Sequence, residues 1–123
     1  MGFNVVVVDP RPEVKNRLST ILGTSVRDAQ VTTYDALGEV PADSARDAGL
    51  FIISDRATDR TQRLDFLTGV RNSRMATRQP MAYTILLNGG KPPTQDEDVL
   101  LGVIANIPVE SNDATFATAV NMV

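Results

Sequence analysis

The six residues Leu50 to Asp55, LFIISD, constrain this chain more than any other stretch. Apolar or small residues end abruptly in a carboxylate, and the polar run Arg56 to Arg63 follows. A run this short and this apolar reads as a strand buried on both faces, the condition of a parallel sheet covered by helices. Asp55 then stands at the carboxyl end of that strand. Ligands gather at that edge in open α/β sheets, so Asp55 is a site candidate by position alone. The bland alternative is that it caps the following turn.

The same pattern occurs at the amino terminus. Phe3 to Val8 (FNVVVV) is β-branched, continuous and closed by Asp9-Pro10, which predicts a second buried strand ending in an acid. Pro12 suits the first turn of a helix, and Val14, Leu18, Ile21 and Leu22 recur at helical spacing until Gly23 stops it. Gln30 to Tyr34 reads as a strand, and Ala36, Leu37 and Val40 as a weak helix broken or bent by Pro41. After the central strand, Leu64, Leu67 and Val70, with Phe66, line a helix ending near Asn72, and a polar loop over Met75 to Pro80 leads to the strand Tyr83 to Leu87. Thr94 and Glu97 fit a capping box opening a helix through Val99, Leu100 and Val103. Ile104 to Val109 reads as a last strand, at an edge or terminated by Pro108. Ser111 or Asn112 caps a final helix carrying Phe116, Ala119 and Val120. This alternation predicts a doubly wound, flavodoxin-like α/β sandwich: five parallel strands in order 2-1-3-4-5 with helices on both faces. Asp9 and Asp55 meet at one edge in that order.

Length fits one domain over residues 1–123, which also suits the N-terminal part of a longer protein. Without His or Cys, the commonest metal ligand, the commonest general base, thiolate sites and disulfides are all absent. Chemistry must rest on carboxylates, hydroxyls, Lys or Arg. No basic leader precedes the first strand and no apolar run approaches a bilayer span, so a cytoplasmic domain without membrane contact is expected. The net charge of −3 argues against nucleic acid as a partner. Seven basic residues (Arg56, Arg60, Arg63, Arg71, Arg74, Arg78, Lys91) against two acidic ones (Asp59, Asp65) lie between Arg56 and Lys91, and such a run reads as a solvated helix face.

VVVVDPRPEV, FIISD and RNSRMATRQPMAYTILLN together resemble the receiver domain of bacterial two-component response regulators, and the resemblance covers essentially the whole chain. It implies that Asp55 is the phosphoacceptor, that Asp9 and Asp55 form an acidic pocket that would hold Mg²⁺, and that a sensor kinase or output domain is the partner. The departures are chemical. The second acid of the family's pair, a magnesium ligand, is Pro10 here, which has no side-chain oxygen. The hydroxyl residue after the fourth strand matches Asn88, whose amide can still donate. The lysine after the fifth strand falls at Val109, and the aromatic switch residue at Asn106. These changes imply an atypical, degenerate receiver that binds Mg²⁺ weakly at best.

Phosphoryl transfer to a carboxylate needs positive charge around the phosphoryl oxygens. Arg11, Arg56 and Arg60 are the candidate substitutes for magnesium and lysine, and the favoured alternative is that they form fixed salt bridges to Asp9 and Asp55 that lock the pocket. Asn88-Gly89-Gly90-Lys91 lacks the spacing of a P-loop and reads as a turn. Ser54, Thr58 and Thr61 lie near Asp55, but without His there is no triad base. Three functions remain. The first expectation is a non-enzymatic signalling module working through protein–protein contact; the second is a receiver phosphorylated at Asp55; the third is a small α/β enzyme or ligand binder using Asp9 and Asp55. The resemblance also implies self-association through the last two helices and last strand, a face carrying Val99, Leu100, Val103, Ile107, Phe116 and Val120.

Overall fold

The computed structural model describes residues 3–25, 29–87, 102–108 and 112–120. Strands β1 (Phe3–Val8), β2 (Ala29–Tyr34), β3 (Leu50–Ser54), β4 (Tyr83–Leu87) and β5 (Val103–Ile107) form one sheet in order β2-β1-β3-β4-β5. Every pairing is parallel. Helices α1 (Pro12–Ser25), α2 (Ala42–Asp47) and α3 (Arg60–Thr77) and a final helix, Asp113–Val120, cover it. The expected strand order is observed, with the chain reversal between β1 and β3.

Side chains alternate across each strand, and the core splits accordingly. Val5, Val7, Leu50, Ile52, Ile85 and Leu87 meet Leu18 and Leu22 of α1 and Phe116 of the final helix. Val6, Val8, Phe51, Ile53 and Leu86 face the other way, toward Leu67 of α3 and Leu37. Both faces of β1, β3 and β4 are covered, which is why these strands are written as unbroken apolar runs. Each fully buried Leu, Ile or Phe contributes about 1.5–3 kcal/mol to this sandwich. On the second face, Phe51 and Phe66 add an edge-to-face contact with ring centroids 5.4 Å apart.

Several boundaries differ from the sequence expectation. Leu37–Glu39 is a single 3-10 turn, and the helix starts after Pro41 rather than breaking at it. Pro41 sits in extended backbone just before the first helical residue, where the N–H it lacks would go unpaired anyway. α3 does not stop near Asn72 but runs to Thr77. It closes on Arg78, which takes a left-handed φ of 56°, while the backbone N–H of Gln79 reaches back to the carbonyl of Arg74 at 2.9 Å. No glycine marks that stop, so composition does not show it. β5 begins at Val103, immediately after the turn at Gly102, whose φ of 88° disfavours a side chain, and it ends before Pro108. Asn112 caps the final helix as expected, its Oδ1 accepting from the Thr115 N–H at 2.9 Å. The Thr94–Glu97 capping box and most of its expected helix lie outside the described residues, but Val103, expected in that helix, instead opens β5, where it pairs with Thr84.

The basic run is not a uniformly solvated face: Arg63 and Arg74 are buried. Both fall on the stripe Arg63, Leu67, Val70, Arg74, at i, i+4, i+7 and i+11, which points into the sandwich. Helical spacing outranks charge here, because a long α3 must place something large at each inward position.

Candidate functional site at the carboxyl edge of the sheet

Parallel pairing sets Val8 opposite Ile53, so Asp9 leaves β1 beside the end of β3. Asp9 and Asp55 are therefore at the same edge. The Asp9 N–H donates to the Tyr34 carbonyl at 3.0 Å and the Asp55 N–H to the Leu87 carbonyl at 3.2 Å, extending the sheet ladders one residue past the strands. A third acid, Asp35, follows β2 at the same edge, a position the sequence reading did not single out. Reading every residue after a predicted strand, rather than only those after the most apolar strands, would have found it.

The three acids are in different states. The Asp9 side chain is 0% exposed and is gripped by Arg11. Arg11 Nη2 donates to Oδ2 at 2.7 Å, Nε to Oδ1 at 2.9 Å, and the Arg11 backbone N–H to Oδ1 at 2.8 Å. This is the fork-on-carboxylate geometry that arginine favours. Burial by itself raises the Asp9 carboxyl, but the bonds from the Arg11 side chain and backbone and from Ser54, with the guanidinium charge, outweigh it and hold the group below its ordinary value. Arg11 is correspondingly raised, chiefly by its bond to Asp9. Asp35 is exposed and ion-paired with Lys15 of α1. Asp55 is exposed in the turn after β3 and makes no side-chain hydrogen bond or ion pair among the described residues.

Ser54 links the two centres. Its Oγ accepts from the Arg56 backbone N–H at 3.1 Å, shaping the turn that carries Asp55, and lies 3.4 Å from Arg11 Nη2. Arg56 is exposed beside Asp55. Arg60 opens α3, Asn106 lies in β5 opposite Leu86, and nothing further is described of their side chains. Asn88, Lys91 and Val109 are outside the described residues. Of the expected association face, Val103, Ile107, Phe116 and Val120 are buried in the core, and Val99 and Leu100 are outside the described residues.

No family model matches the chain, and no curated protein is significantly similar to it in sequence. Solved structures do match. A signal receiver domain of a two-component histidine kinase from Clostridium thermocellum superposes with a TM-score of 0.74 at 14% identity, over 99% of this chain and 97% of that one. A CheY-like response regulator receiver domain protein from Methanospirillum hungatei gives 0.72 at 14% identity, over 99% and 93%. The chemotaxis response regulator CheY4 of Vibrio cholerae gives 0.71 at 17% identity, over 99% and 98%. The chain therefore has the CheY-like, flavodoxin-type fold of receiver domains. No helix among the described residues is long and apolar enough to cross a membrane.

Proposed function

We propose that this chain is a cytoplasmic signal-transduction receiver-like domain, not an enzyme, that works through protein–protein contact and in which magnesium-dependent phosphorylation of Asp55 is impaired or lost. The observation that carries the reading is the Arg11 fork on Asp9. Magnesium takes near-octahedral oxygen coordination from one or two carboxylates and waters. Here both Asp9 oxygens already accept from a permanent cation, the carboxylate is shut off from water, and Pro10 offers no oxygen. The donor set does not fit a divalent ion, and Arg11 supplies locally the positive charge that such an ion would bring. Partners are proteins, a sensor kinase or an output domain, rather than nucleic acid. If copies of the chain associate through the final helix, its exposed residues Asp113, Ala114, Thr115 and Thr118 make the contact, since Phe116, Ala119 and Val120 are spent on the core.

The test is to weigh the intact protein after incubation with acetyl phosphate and Mg²⁺, beside an Asp55→Asn control. The expected outcome is an unchanged mass for both. A second reading is favoured by one observation, the exposed Asp55 carboxylate without a bonded partner among the described residues. A phosphoryl adduct on the unaltered protein that is lost in Asp55→Asn would establish that second reading and remove the first.

A further inference from the structure

The opposite side of the second helical layer is built loosely. α2 is six residues long and buries none of them, and it presents Ala42 and Ala45 toward α3. α3 answers with Gly69, an interior helix position where a Cβ would meet nothing within 4 Å. Glycine there costs the helix about 1 kcal/mol relative to alanine and relieves no clash. The result is a groove of about 580 Å³ floored by Ala42, Ala45, Phe66, Gly69 and Val70. That volume is in the range of small-molecule sites, which are apolar with a few placed polar groups.

The placed polar group is Arg74, which lines the groove and is 5% exposed. Its guanidinium is held by backbone carbonyls: Nη1 donates to Pro80 at 2.9 Å, and Nη2 to Ala45 at 3.2 Å and to Ala48. Nε, itself shielded, has no hydrogen-bond partner among the described residues. Neutral carbonyls orient the cation without cancelling its charge, and among the described residues no carboxylate comes within ion-pair distance of it. Burial lowers the Arg74 pKa and the charge of Asp47, farther off, only partly offsets this. The other charged groups on the groove are Arg46, paired with Asp43, and Asp65. A buried cation on the wall of an apolar cleft, with no carboxylate at ion-pair distance among the described residues, is short of one thing, an anion.

We propose that the α2–α3 groove binds a small amphipathic anion, an apolar ring or short-chain body carrying one carboxylate or sulfonate, whose charged end pairs with Arg74 and whose body lies over Gly69. The site is separate from the Asp9–Arg11 pocket and stands whether or not Asp55 is phosphorylated.

The probes are anilinonaphthalene sulfonate and uncharged phenylnaphthylamine, titrated into the unaltered protein by fluorescence, with amide NMR shifts to place them. The sulfonate is expected to bind about tenfold or more tightly than the uncharged compound, as a charge-assisted hydrogen bond implies. Shifts should centre on Ala45, Gly69 and Val70. Gly69→Leu, which fills the groove from a position that accepts a side chain, should weaken the sulfonate about tenfold or more while the protein stays folded. Arg74→Met should bring the sulfonate down to the level of the uncharged probe; if that variant does not fold, the Gly69→Leu result and the shift map decide. Equal affinity for both probes, which is what a plain protein-docking face would show, overturns the proposal. So does binding indifferent to Gly69→Leu, or a shift map elsewhere.

Discussion

Arg11 and Arg74 both carry a full charge into this domain, and they are held in opposite ways. Arg11, 22% exposed, is closed onto a carboxylate by two side-chain bonds and one backbone bond, so cation and anion cancel inside the pocket. Arg74 is more deeply buried and, among the described residues, is held by backbone carbonyls, which orient it but leave its charge. The first arrangement closes a site and the second leaves one open. Proximity of a charged residue to a cleft is thus a poor guide to binding; what counts is whether its charge is already neutralised within the protein. The backbone shows the same contrast. At the carboxyl edge the strands run one residue further into hydrogen-bonded turns, whereas between α2 and α3 small residues hold two helices over empty space.

The contrast can be broken most forcefully at Arg74. Arg74→Ala removes three hydrogen bonds from a charged group and strands the carbonyls of Ala45, Ala48 and Pro80. A loss of about 3 kcal/mol or more in urea unfolding is expected. A change near zero would mean that the guanidinium is not the tie between α2, α3 and the approach to β4.

Asp9→Asn should cost less, about 1–3 kcal/mol at neutral pH, because Arg11 can turn its charge to water when the acid is gone. The pH dependence has a definite sign. The folded Asp9 pKa lies below its unfolded value, so the stabilisation is present above the unfolded value of about 3.9 and fades as pH falls through the folded one. Unfolding free energy measured from neutral to strongly acid pH should therefore fall less steeply below about pH 4 in Asp9→Asn than in the unaltered protein. Identical slopes would show that Asp9 is not held as an anion.

Magnesium sharpens the comparison next. Pro10→Asp restores an oxygen but leaves Arg11 on Asp9, so calorimetry should show little gain. Pro10→Asp with Arg11→Ala frees both, and Mg²⁺ affinity should then rise about tenfold or more, equivalent to about 1.4 kcal/mol. Tight Mg²⁺ binding by the unaltered protein would show that the Arg11 fork is no obstacle.

The smallest effect is expected at Gly69. Gly69→Ala should raise stability by about 0.5–1 kcal/mol, read from the thermal midpoint, since a methyl group there meets nothing and the helix gains. Destabilisation would mean that α3 needs glycine for packing, and the groove would lose its explanation.

Much of this molecule is written locally. FNVVVV, LFIIS and YTILL are apolar on both faces, which only a parallel strand between two helical layers accommodates, and right-handed crossovers then leave few strand orders. From that order alone Asp9 and Asp55 fall at one edge. The tertiary structure decided what those acids do. Whether Arg11 turns back onto Asp9 or reaches toward Asp55 is a choice between nearby carboxylates, settled by the buried position of Asp9 beside Ser54 and the exposed turn that carries Asp55. Arg74 depended on it still more. Its helical phase was legible from Leu67 and Val70, but the carbonyls that hold it come from Ala45, Ala48 and Pro80, segments brought together only when α2, α3 and the sheet close on one another. A buried charge is decided by the sum of its long-range partners, and no window of sequence contains that sum.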